Sequence, residues 1–333
     1  MTDTQKNQQV PHPSLDELRA RTLDLIIVGG GPAGMSAAVY ASRRKIDTLV
    51  ITENIGGQTN WSAEVDNYLG FDMISGFELS QKFFEHVKKI DDDNAVYDLE
   101  VLQNDRVIGF TKTDGVFTVQ TKTHGEFTTR AILITTGAKP RVLNIPGEKE
   151  LIGKGVTFCA TCDGPLYHDK TIAIIGGGNS AMEAALYLHK IAKRIYLVNI
   201  NKNLRGEMAM AEELKTIENI EIKNLTETLE FQGEGKLEKA KFKDKGSGKE
   251  EWIELDGVFE EIGYTPNSDD FKGLVELNDR GEIIIDQMNQ TSVPGVFAAG
   301  DVSSIPVKQI VVAAGEGAKA SLAVYNYLLP THE

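Results

Sequence analysis

Two cysteines at close spacing are the residues of this chain best suited to chemistry. Cys159 and Cys162 form a Cys-x-x-Cys pair, and Asp163 follows directly. Two thiols at this spacing can close a small disulfide on a turn, and a thiolate can attack the disulfide of a partner. Asp163 adjoins the pair and can carry the proton that thiol–disulfide exchange requires. The pattern therefore predicts redox chemistry at these three residues.

A metal site and a purely structural pair are the two other interpretations of these cysteines. Structural zinc takes four ligands, usually from a second cysteine pair or from histidines at close spacing. The sequence contains no third cysteine, and His168 is the single histidine near the pair. Two buried cysteines without a chemical role would not need an adjacent aspartate. We therefore expect no metal, and a purely structural pair is the less favoured of the two remaining interpretations.

A glycine-rich turn near the start of the chain predicts a dinucleotide site. Gly29, Gly31 and Gly34 match the pattern G-x-G-x-x-G between an apolar run and a helical pattern. Glycines there permit a tight turn, a close approach of the backbone to a pyrophosphate, and close helix–strand packing. Glu53 follows the next apolar run, where an acid accepts a ribose hydroxyl. This context separates the motif from a glycine turn that serves packing alone.

A second glycine-rich turn repeats the pattern later in the chain. Gly176, Gly178 and Ala181 again lie between an apolar run and a helix-like stretch. The strand that should follow ends in Asn199 instead of an acid, and only Lys202 and Arg205 are available for a 2′-phosphate. The sequence therefore predicts the fold of a dinucleotide site here and leaves its ligand open.

The elements that must position these motifs alternate between short strands and helices. Residues 24–28 and 47–51 predict the strands around the first turn, and residues 171–175 and 194–198 predict those around the second. Each copy is a β–turn–α–β unit, the start of a doubly wound fold. The fold class predicted is α/β, with two Rossmann-like, doubly wound, three-layer nucleotide-binding domains.

A motif late in the chain adds a further candidate ligand residue. An apolar run ends in Gly300 and Asp301, so the aspartate is expected at a strand tip beside a glycine that lets a ligand approach the backbone. The alternative role of Asp301 is structural, as the cap of the next helix.

Length and charge limit the classes of function. At about 150 residues per domain, 333 residues suggest two domains. The net charge of −14 and a pI near 5.0 argue against nucleic acid and anionic membrane surfaces as partners. The polar N-terminus and the lack of a long apolar run lead us to expect no signal peptide, no membrane span and a cytoplasmic location.

Ser14 and Glu17 fit a capping box, which predicts that a short helix begins there. The alternative is a mobile terminus.

Taken together, these motifs resemble the low-molecular-weight thioredoxin reductase family, which includes the flavoprotein component of alkyl hydroperoxide reductase. The similarity runs from about residue 22 to 329 and includes the hexapeptide CATCDG, the turn GGGPAG and the late segment GVFAAGD. It also includes GGQ at 56–58, and EGAKAS at 316–321 after Gln309. The hydroperoxide reductase flavoprotein carries an additional N-terminal thioredoxin-like region, which we do not expect in this chain.

The resemblance implies roles for the candidate residues. Cys162 would face a flavin, Cys159 would attack the disulfide of a partner, and Asp163 would be the acid/base residue. The second nucleotide site would involve Gly176, Gly178, Ala181, Asn199 and Arg205. The residues implied for FAD are Gly29, Gly31, Gly34, Glu53, Gly57, Gln58, Asn67, Gly137, Asp301 and Gln309.

The resemblance also implies a domain organisation. The FAD-binding domain would be discontinuous, at 1–143 and 270–333, and the domain inserted at 144–269 would be pyridine-nucleotide-like and carry the cysteine pair. In the family the two domains rotate relative to each other, so that the pair meets first the flavin and then the protein partner. Short hinges at 140–146 and 266–270 are compatible with that motion.

One departure from the family concerns the electron donor. NADPH-dependent members carry His-Arg-Arg and a further arginine four residues later, which clamp the 2′-phosphate. Here Asn199, Ile200 and Asn201 occupy the first three positions, and only Arg205 remains. Each lost charge-assisted contact is worth roughly 1.5–3 kcal/mol, at least tenfold in affinity. We therefore expect NADPH to be a poor donor, with NADH or reduced ferredoxin as alternatives and NADH or no nucleotide at the second site.

The function predicted is a thioredoxin reductase-like disulfide oxidoreductase that passes electrons through FAD to Cys159 and Cys162. The expected partners are thioredoxin or a thioredoxin-like protein, ferredoxin as a donor, and a second copy of the chain in a homodimer. The alternatives are a flavin NADH oxidase, a peroxiredoxin-linked reductase and a flavin-bound redox sensor.

Overall fold

The structure, a computed structural model, describes residues 13–62, 65–93 and 99–329. The helices in these ranges are α1 (Leu15–Arg19), α2 (Pro32–Arg43), α3 (Gly76–Asp93), α4 (Glu148–Leu151), α5 (Ala160–Asp163), α6 (Asn179–Leu188), α7 (Met208–Leu214) and α8 (Ile310–Leu328). The strands are β1 (Thr22–Gly30), β2 (Thr48–Ile55), β3 (Leu99–Gln103), β4 (Val107–Thr113), β5 (Val116–Thr121), β6 (Glu126–Ile134), β7 (Ala138–Pro140), β8 (Val156–Thr157), β9 (Thr171–Ile175), β10 (Arg194–Val198), β11 (Ile220–Lys223), β12 (Thr226–Gln232), β13 (Lys239–Asp244), β14 (Glu250–Glu254), β15 (Gly257–Glu260), β16 (Tyr264–Pro266) and β17 (Val296–Ala298).

The described chain forms two compact units. Unit 1 comprises the described residues within 1–60, 77–139 and 266–333, and unit 2 those within 61–76 and 140–265. The long segment of unit 2 therefore begins at residue 140 and ends at residue 265, in each case four residues before the predicted bound of 144 or 269. Residues 61–76, which the sequence analysis assigned to the first domain, belong to unit 2, where the main-chain oxygen of Trp61 lies next to Gly153.

The sheet of unit 1 is parallel at its centre. Its order is β3-β2-β1-β6, β17 also pairs with β6, and β6 continues antiparallel into β5 and β4. Along β1, Leu25 and Ile27 pack on the side of α2 and α8, whereas Ile26 and Val28 pack on the opposite side. Burial on both faces explains why this strand is a continuous apolar run in the sequence.

Unit 2 contains a five-stranded parallel sheet in the order β11-β10-β9-β15-β8. Residues of α6 and α7, among them Ala181 and Leu214, cover one face. The antiparallel sheet β12-β13-β14 covers the other face through Phe231 and Phe242. The predicted three-layer α/β architecture is confirmed, with a small sheet as the third layer of this unit.

The two parallel sheets share one connectivity. In each, the central strand (β1 or β9) leads through a glycine turn into a helix (α2 or α6) and then into the neighbouring strand (β2 or β10). Ligands of such sheets bind beyond the carboxyl ends of the strands, where the strand order reverses. The duplication predicted from the sequence is therefore present, and the carboxyl ends of β1 and β9 are the equivalent positions of the two units.

The short N-terminal helix predicted from the capping box is confirmed. The Ser14 side chain accepts the Glu17 N–H at 3.3 Å, and the Glu17 carboxylate accepts the Ser14 N–H at 2.7 Å. Within the described residues, no helix has both the length and the apolar character needed to cross a membrane.

Candidate active site

The three glycines of the first turn have different structural roles. Gly29 has φ +115°, and a side chain there would lie 2.5 Å from the carbonyl oxygen of Thr135. A side chain at Gly34 would collide with the carbonyl oxygen of Gly29, so this glycine allows α2 to pack against β1. Gly31 has no neighbour within 4 Å of the Cβ position. Packing therefore requires two of the glycines, whereas the third leaves space for a ligand.

The N-terminus of α2 opens onto that space. Gly31 is the N-cap residue, Pro32 is the first helical residue, and no side chain caps the helix. The first amides of a helix are anion-binding donors, and the helix dipole favours negative charge there. The turn therefore fits the pyrophosphate of a dinucleotide.

Asp301 lies in the same unit with half of its carboxylate unsatisfied. Gln58 donates a hydrogen bond of 3.3 Å to Oδ2 of Asp301, whereas Oδ1 is buried without a partner among the described residues. Burial raises the pKa of Asp301, and nearby Lys308 opposes this effect. The N-cap of the following helix α8 is Gln309, so Asp301 is not its cap. A buried oxygen without a partner fits a donor supplied by a ligand.

The other residues of unit 1 that were predicted to bind FAD have fewer contacts that link them to the first turn. Gly57 has φ +55°, and its Cβ position lies 3.9 Å from Cα of Gly31. Gly137 has φ +68° and open space at its Cβ position. Glu53 is exposed near the end of β2. Asn67 belongs to unit 2, whereas the other residues predicted for FAD belong to unit 1.

Three residues that support this site were not found from the sequence. Thr135 donates its hydroxyl to the carbonyl oxygens of Val28 and Gly29, at 2.9 and 3.1 Å, and so fixes the turn. Gly317 lets α8 approach α2, because a side chain there would collide with the carbonyl oxygen of Ala33. Lys308 donates to the main-chain oxygen of Ser303 at 2.6 Å. Of the three, only Gly317, a glycine inside a helical pattern, leaves a signal in the sequence.

The second turn divides its roles in the same way. A side chain at Gly176 would collide with the carbonyl oxygen of Glu261, and Ala181 is fully buried in the core of unit 2. Gly178 has open space at its Cβ position and is the N-cap of α6, which no side chain caps. The backbone of this turn is therefore also fit for a pyrophosphate.

Asn199 differs from a ribose-binding acid in its contacts. It is buried, and its Nδ2 donates to the Asn201 main-chain oxygen at 3.1 Å and to Oδ1 of Asn224 at 2.9 Å. Its Oδ1 accepts the backbone and side-chain amides of Asn201 at 3.1 and 3.3 Å. Its two donors and two lone pairs are therefore all used within the protein. Arg205 is exposed, and its main-chain N–H donates to Gly177 at 2.6 Å, which holds it beside the turn.

The two cysteines lie at the carboxyl edge of the sheet of unit 2. Cys159 and Cys162 form a disulfide with a Cα–Cα distance of 5.3 Å, and both are half-buried. Cys159 is the N-cap of α5, and its Sγ accepts the Cys162 N–H at 3.2 Å. Among the described residues, no group of His, Cys, Asp and Glu side chains is arranged to hold a metal ion. The bond between the two sulfurs leaves neither thiol free as a metal ligand.

Asp163 directly follows Cys162 at the end of α5. Its carboxylate accepts a hydrogen bond from the hydroxyl of Thr157, and its N–H donates to the Cys159 main-chain oxygen at 3.1 Å. The side chain is buried. Burial first, and then the charge of Asp163, raise the pKa of Tyr167 to about 12. The structure therefore brings together the three residues predicted for redox chemistry.

The family of the chain follows from comparison with known proteins. The sequence pattern of the pyridine nucleotide-disulphide oxidoreductases matches residues 23–317. The chain belongs to this family.

Particular relatives are of two kinds. The F subunit of alkyl hydroperoxide reductase from Staphylococcus aureus (strain MRSA252) is 39% identical over 306 residues, 92% of this chain and 59% of that protein. The chain thus spans about three-fifths of the length of this curated relative. The structure of thioredoxin reductase from Streptococcus pyogenes MGAS5005 has a TM-score of 0.86 at 33% identity and covers 92% of this chain and 98% of its own. Thioredoxin reductase from Giardia duodenalis has a TM-score of 0.84 at 32% identity and covers 92% and 99%.

Proposed function

We propose that the chain is an FAD-dependent disulfide reductase that passes electrons through Cys159 and Cys162 to a thioredoxin-type protein disulfide. The observation that carries the proposal is a half-buried disulfide followed directly by a buried carboxyl group, Asp163, which accepts a hydrogen bond from Thr157. A structural disulfide does not need an acid at this position, whereas thiol–disulfide exchange needs a proton carrier.

Unit 1 is the proposed FAD domain. The open space at Gly31 and the uncapped α2 would hold the pyrophosphate, and the unpaired oxygen of Asp301 would accept a hydrogen bond from the cofactor. The remaining FAD residues are those implied by the family resemblance, with Asn67 resting on the resemblance alone. When bound, FAD supplies the two electrons that reduce the disulfide.

The cysteines divide the exchange with the partner between them. The thiolate of Cys159 attacks the partner's disulfide, a mixed disulfide forms, and one partner thiolate leaves. Cys162 then loses its proton and attacks Cys159, which restores the disulfide and releases the second partner thiolate. Asp163 moves protons to and from the pair, and its hydrogen bond with Thr157 fixes its position.

The donor is proposed to be NADH or reduced ferredoxin and not NADPH. The absence of the two arginines before Arg205 removes the clamp for a 2′-phosphate. The internally saturated Asn199 also offers no spare acceptor for a free ribose hydroxyl, which weakens NADH as a donor relative to the sequence-based expectation. The intact turn at Gly176 and Gly178 favours retaining NADH as a candidate.

Anaerobic reduction of the flavin with NADPH, NADH and reduced ferredoxin in parallel tests the donor. Loss of the oxidised flavin absorbance should be slow or absent with NADPH and fast with one of the other two. Fast bleaching by micromolar NADPH would show that the interpretation of Asn199–Asn201 is wrong.

A peroxiredoxin-linked reductase is the second candidate function. It is favoured by the 39% identity with the F subunit of alkyl hydroperoxide reductase, which is higher than the 33% with the thioredoxin reductase from Streptococcus pyogenes. Rates with an oxidised thioredoxin and an oxidised peroxiredoxin, measured with the same donor, separate the two candidates. A cytoplasmic location and a homodimer complete the proposal, on the basis of the sequence and the family resemblance.

A further inference from the structure

A carboxyl group with no role in the proposed mechanism lies next to the disulfide. Strands β8 and β15 are parallel neighbours, and Thr157 pairs with Phe259. Cys159 lies two residues after Thr157, and Glu261 lies two residues after Phe259. Both residues therefore follow the ends of neighbouring strands at the same edge of the sheet. The topology of unit 2 therefore places Glu261 next to the segment that carries the redox pair.

Glu261 lies close to the backbone of the pair. The N–H of Ala160, which belongs to the peptide that links Ala160 to Cys159, is near enough to the Glu261 carboxylate to lower its pKa. The backbone of Glu261 is fixed as well, since its N–H donates to the Ile175 oxygen at 2.8 Å and its carbonyl oxygen packs against Gly176. A carboxylate on a fixed backbone thus lies beside the peptide that joins Cys159 to Ala160.

The surroundings of Glu261 make its charge sensitive to pH. Burial raises the pKa of Glu261 to about 7, the Ala160 N–H opposes this effect, and the carboxylate of Glu183 on α6 adds to it. Around Glu261, helix α5 contributes the amide of Ala160, helix α6 contributes the like charge of Glu183, and the turn at Gly176 contributes only backbone atoms. Glu261 is therefore charged in the pH range in which an ordinary thiol ionises, near 8.5.

We propose that Glu261 is a positioning residue of the redox pair: its charge, beside the Ala160 N–H, opposes ionisation of the Cys159 thiol. The proposal rests on the proposed function, because it matters only where the pair is reduced and re-oxidised. A nearby negative charge disfavours a thiolate and occupies an amide that could otherwise stabilise it. A less acidic thiol gives a more nucleophilic thiolate, so Glu261 sets the pH at which Cys159 attacks a partner.

The neighbouring residue Glu260 supplies a matched control. It is 2% exposed and faces Glu148, whose carboxyl group accepts the amides of Leu143 and Asn144. Burial raises the pKa of Glu260 to about 9, so this group is neutral at pH 7. Glu260→Gln therefore changes the same residue type at the adjacent position without removing a charge near the disulfide.

The test measures the ionisation of Cys159 in the reduced full-length chain. The protein is reduced with dithiothreitol, desalted anaerobically and treated with iodoacetamide between pH 5 and 10. Alkylation at Cys159, as distinct from Cys162, is quantified by mass spectrometry. In Glu261→Gln the midpoint of the alkylation rate should fall by about one pH unit, which corresponds to about tenfold more thiolate at a given pH. Glu260→Gln should keep the wild-type midpoint.

A third variant separates charge from structure. Glu261→Asp keeps the charge, so its midpoint should be closer to that of the wild type than to that of Glu261→Gln. An unshifted midpoint in Glu261→Gln, or an equal shift in the Asp variant, overturns the proposal. The titration needs no donor and no protein partner. An unshifted midpoint in a chain that does reduce thioredoxin overturns this inference alone, whereas a shifted midpoint in a chain that reduces no protein disulfide supports it and contradicts the proposed function.

Discussion

Gln58 donates a hydrogen bond to one carboxylate oxygen of Asp301, and the other oxygen is buried without a partner in the described part of the chain. A hydrogen bond to a charged group is worth roughly 1.5–3 kcal/mol, so loss of a cofactor contact there should weaken binding about tenfold or more. We therefore expect Asp301→Ala to lower FAD affinity by at least that factor. Titration of the apoprotein with FAD, followed by flavin fluorescence, measures the change.

The control for Asp301 is Asp279→Ala, because Asp279 is an exposed acid of the same unit. This variant should bind FAD as the wild type does. Equal affinity of Asp301→Ala and the wild type would show that the buried oxygen does not face the cofactor.

Two glycines of one motif should respond differently to the same substitution. Gly31→Ala adds a methyl group to open space, so the melting temperature should stay close to that of the wild type while FAD binding weakens. Gly34→Ala drives a methyl group into the Gly29 carbonyl oxygen, and overpacking of this kind costs about 1–3 kcal/mol. Thermal unfolding of the two apoproteins measures the contrast, and equal destabilisation by both would contradict the assignment of Gly31 to ligand space.

These glycines also mark the limit of what the sequence could predict. The pattern located β9 and β10 at the residues observed, because apolar runs between turns are local signals. It could not distinguish the packing role of Gly34 from the ligand role of Gly31, since the difference depends on what lies above each Cα in the fold.

The same limit applies to contacts between residues distant in sequence. Asn199 was recognised as a departure from the family, but its saturation depends on Asn224, 25 residues away. The contact of Glu261 with Ala160 depends on the pairing of β8 with β15, which no local pattern specifies. Chemistry carried by short motifs was therefore predictable, whereas tuning by neighbouring strands was not.

Glu260 should make stability depend on pH. Its folded-state pKa of about 9 lies above the ordinary value of 4.5, so the folded protein keeps a proton that the unfolded chain releases between these values. The contribution of this group to the free energy of unfolding is present at low pH and is lost as pH rises towards 9. Glu260→Gln cannot lose a proton, so its free energy of unfolding relative to the wild type should increase from pH 5 to pH 8.

Urea unfolding of the two proteins at both pH values measures this difference. Glu254→Gln, at an exposed position of unit 2, is the control and should show the same difference from the wild type at pH 5 and pH 8. A constant difference for Glu260→Gln would mean that Glu260 is ionised in the folded protein.

The donor should respond to arginines introduced after β10. In the double variant with Ile200→Arg and Asn201→Arg, each new charge-assisted contact with a 2′-phosphate should raise NADPH affinity about tenfold. Ile200 is exposed and Arg205 already lies beside the turn, so an arginine at 200 has room, whereas the arginine at 201 replaces a half-buried residue. Rates of anaerobic flavin reduction at several NADPH concentrations report the gain.

An uncharged double variant, with Ile200→Leu and Asn201→Gln, controls for changes in the backbone of this loop. It should react with NADPH as the wild type does. A gain as large as that of the arginine variant would attribute the effect to the loop and not to charge.

The most direct test of the central claim is reduction of a thioredoxin disulfide by the wild type and by Cys162→Ser. Each is assayed anaerobically with NADPH, NADH and reduced ferredoxin, and FAD content is measured in parallel. The wild type should reduce thioredoxin with NADH or reduced ferredoxin, and Cys162→Ser should lose this activity while keeping its FAD. Failure of the wild type with every donor, or full activity of Cys162→Ser, would contradict a route through Cys159 and Cys162.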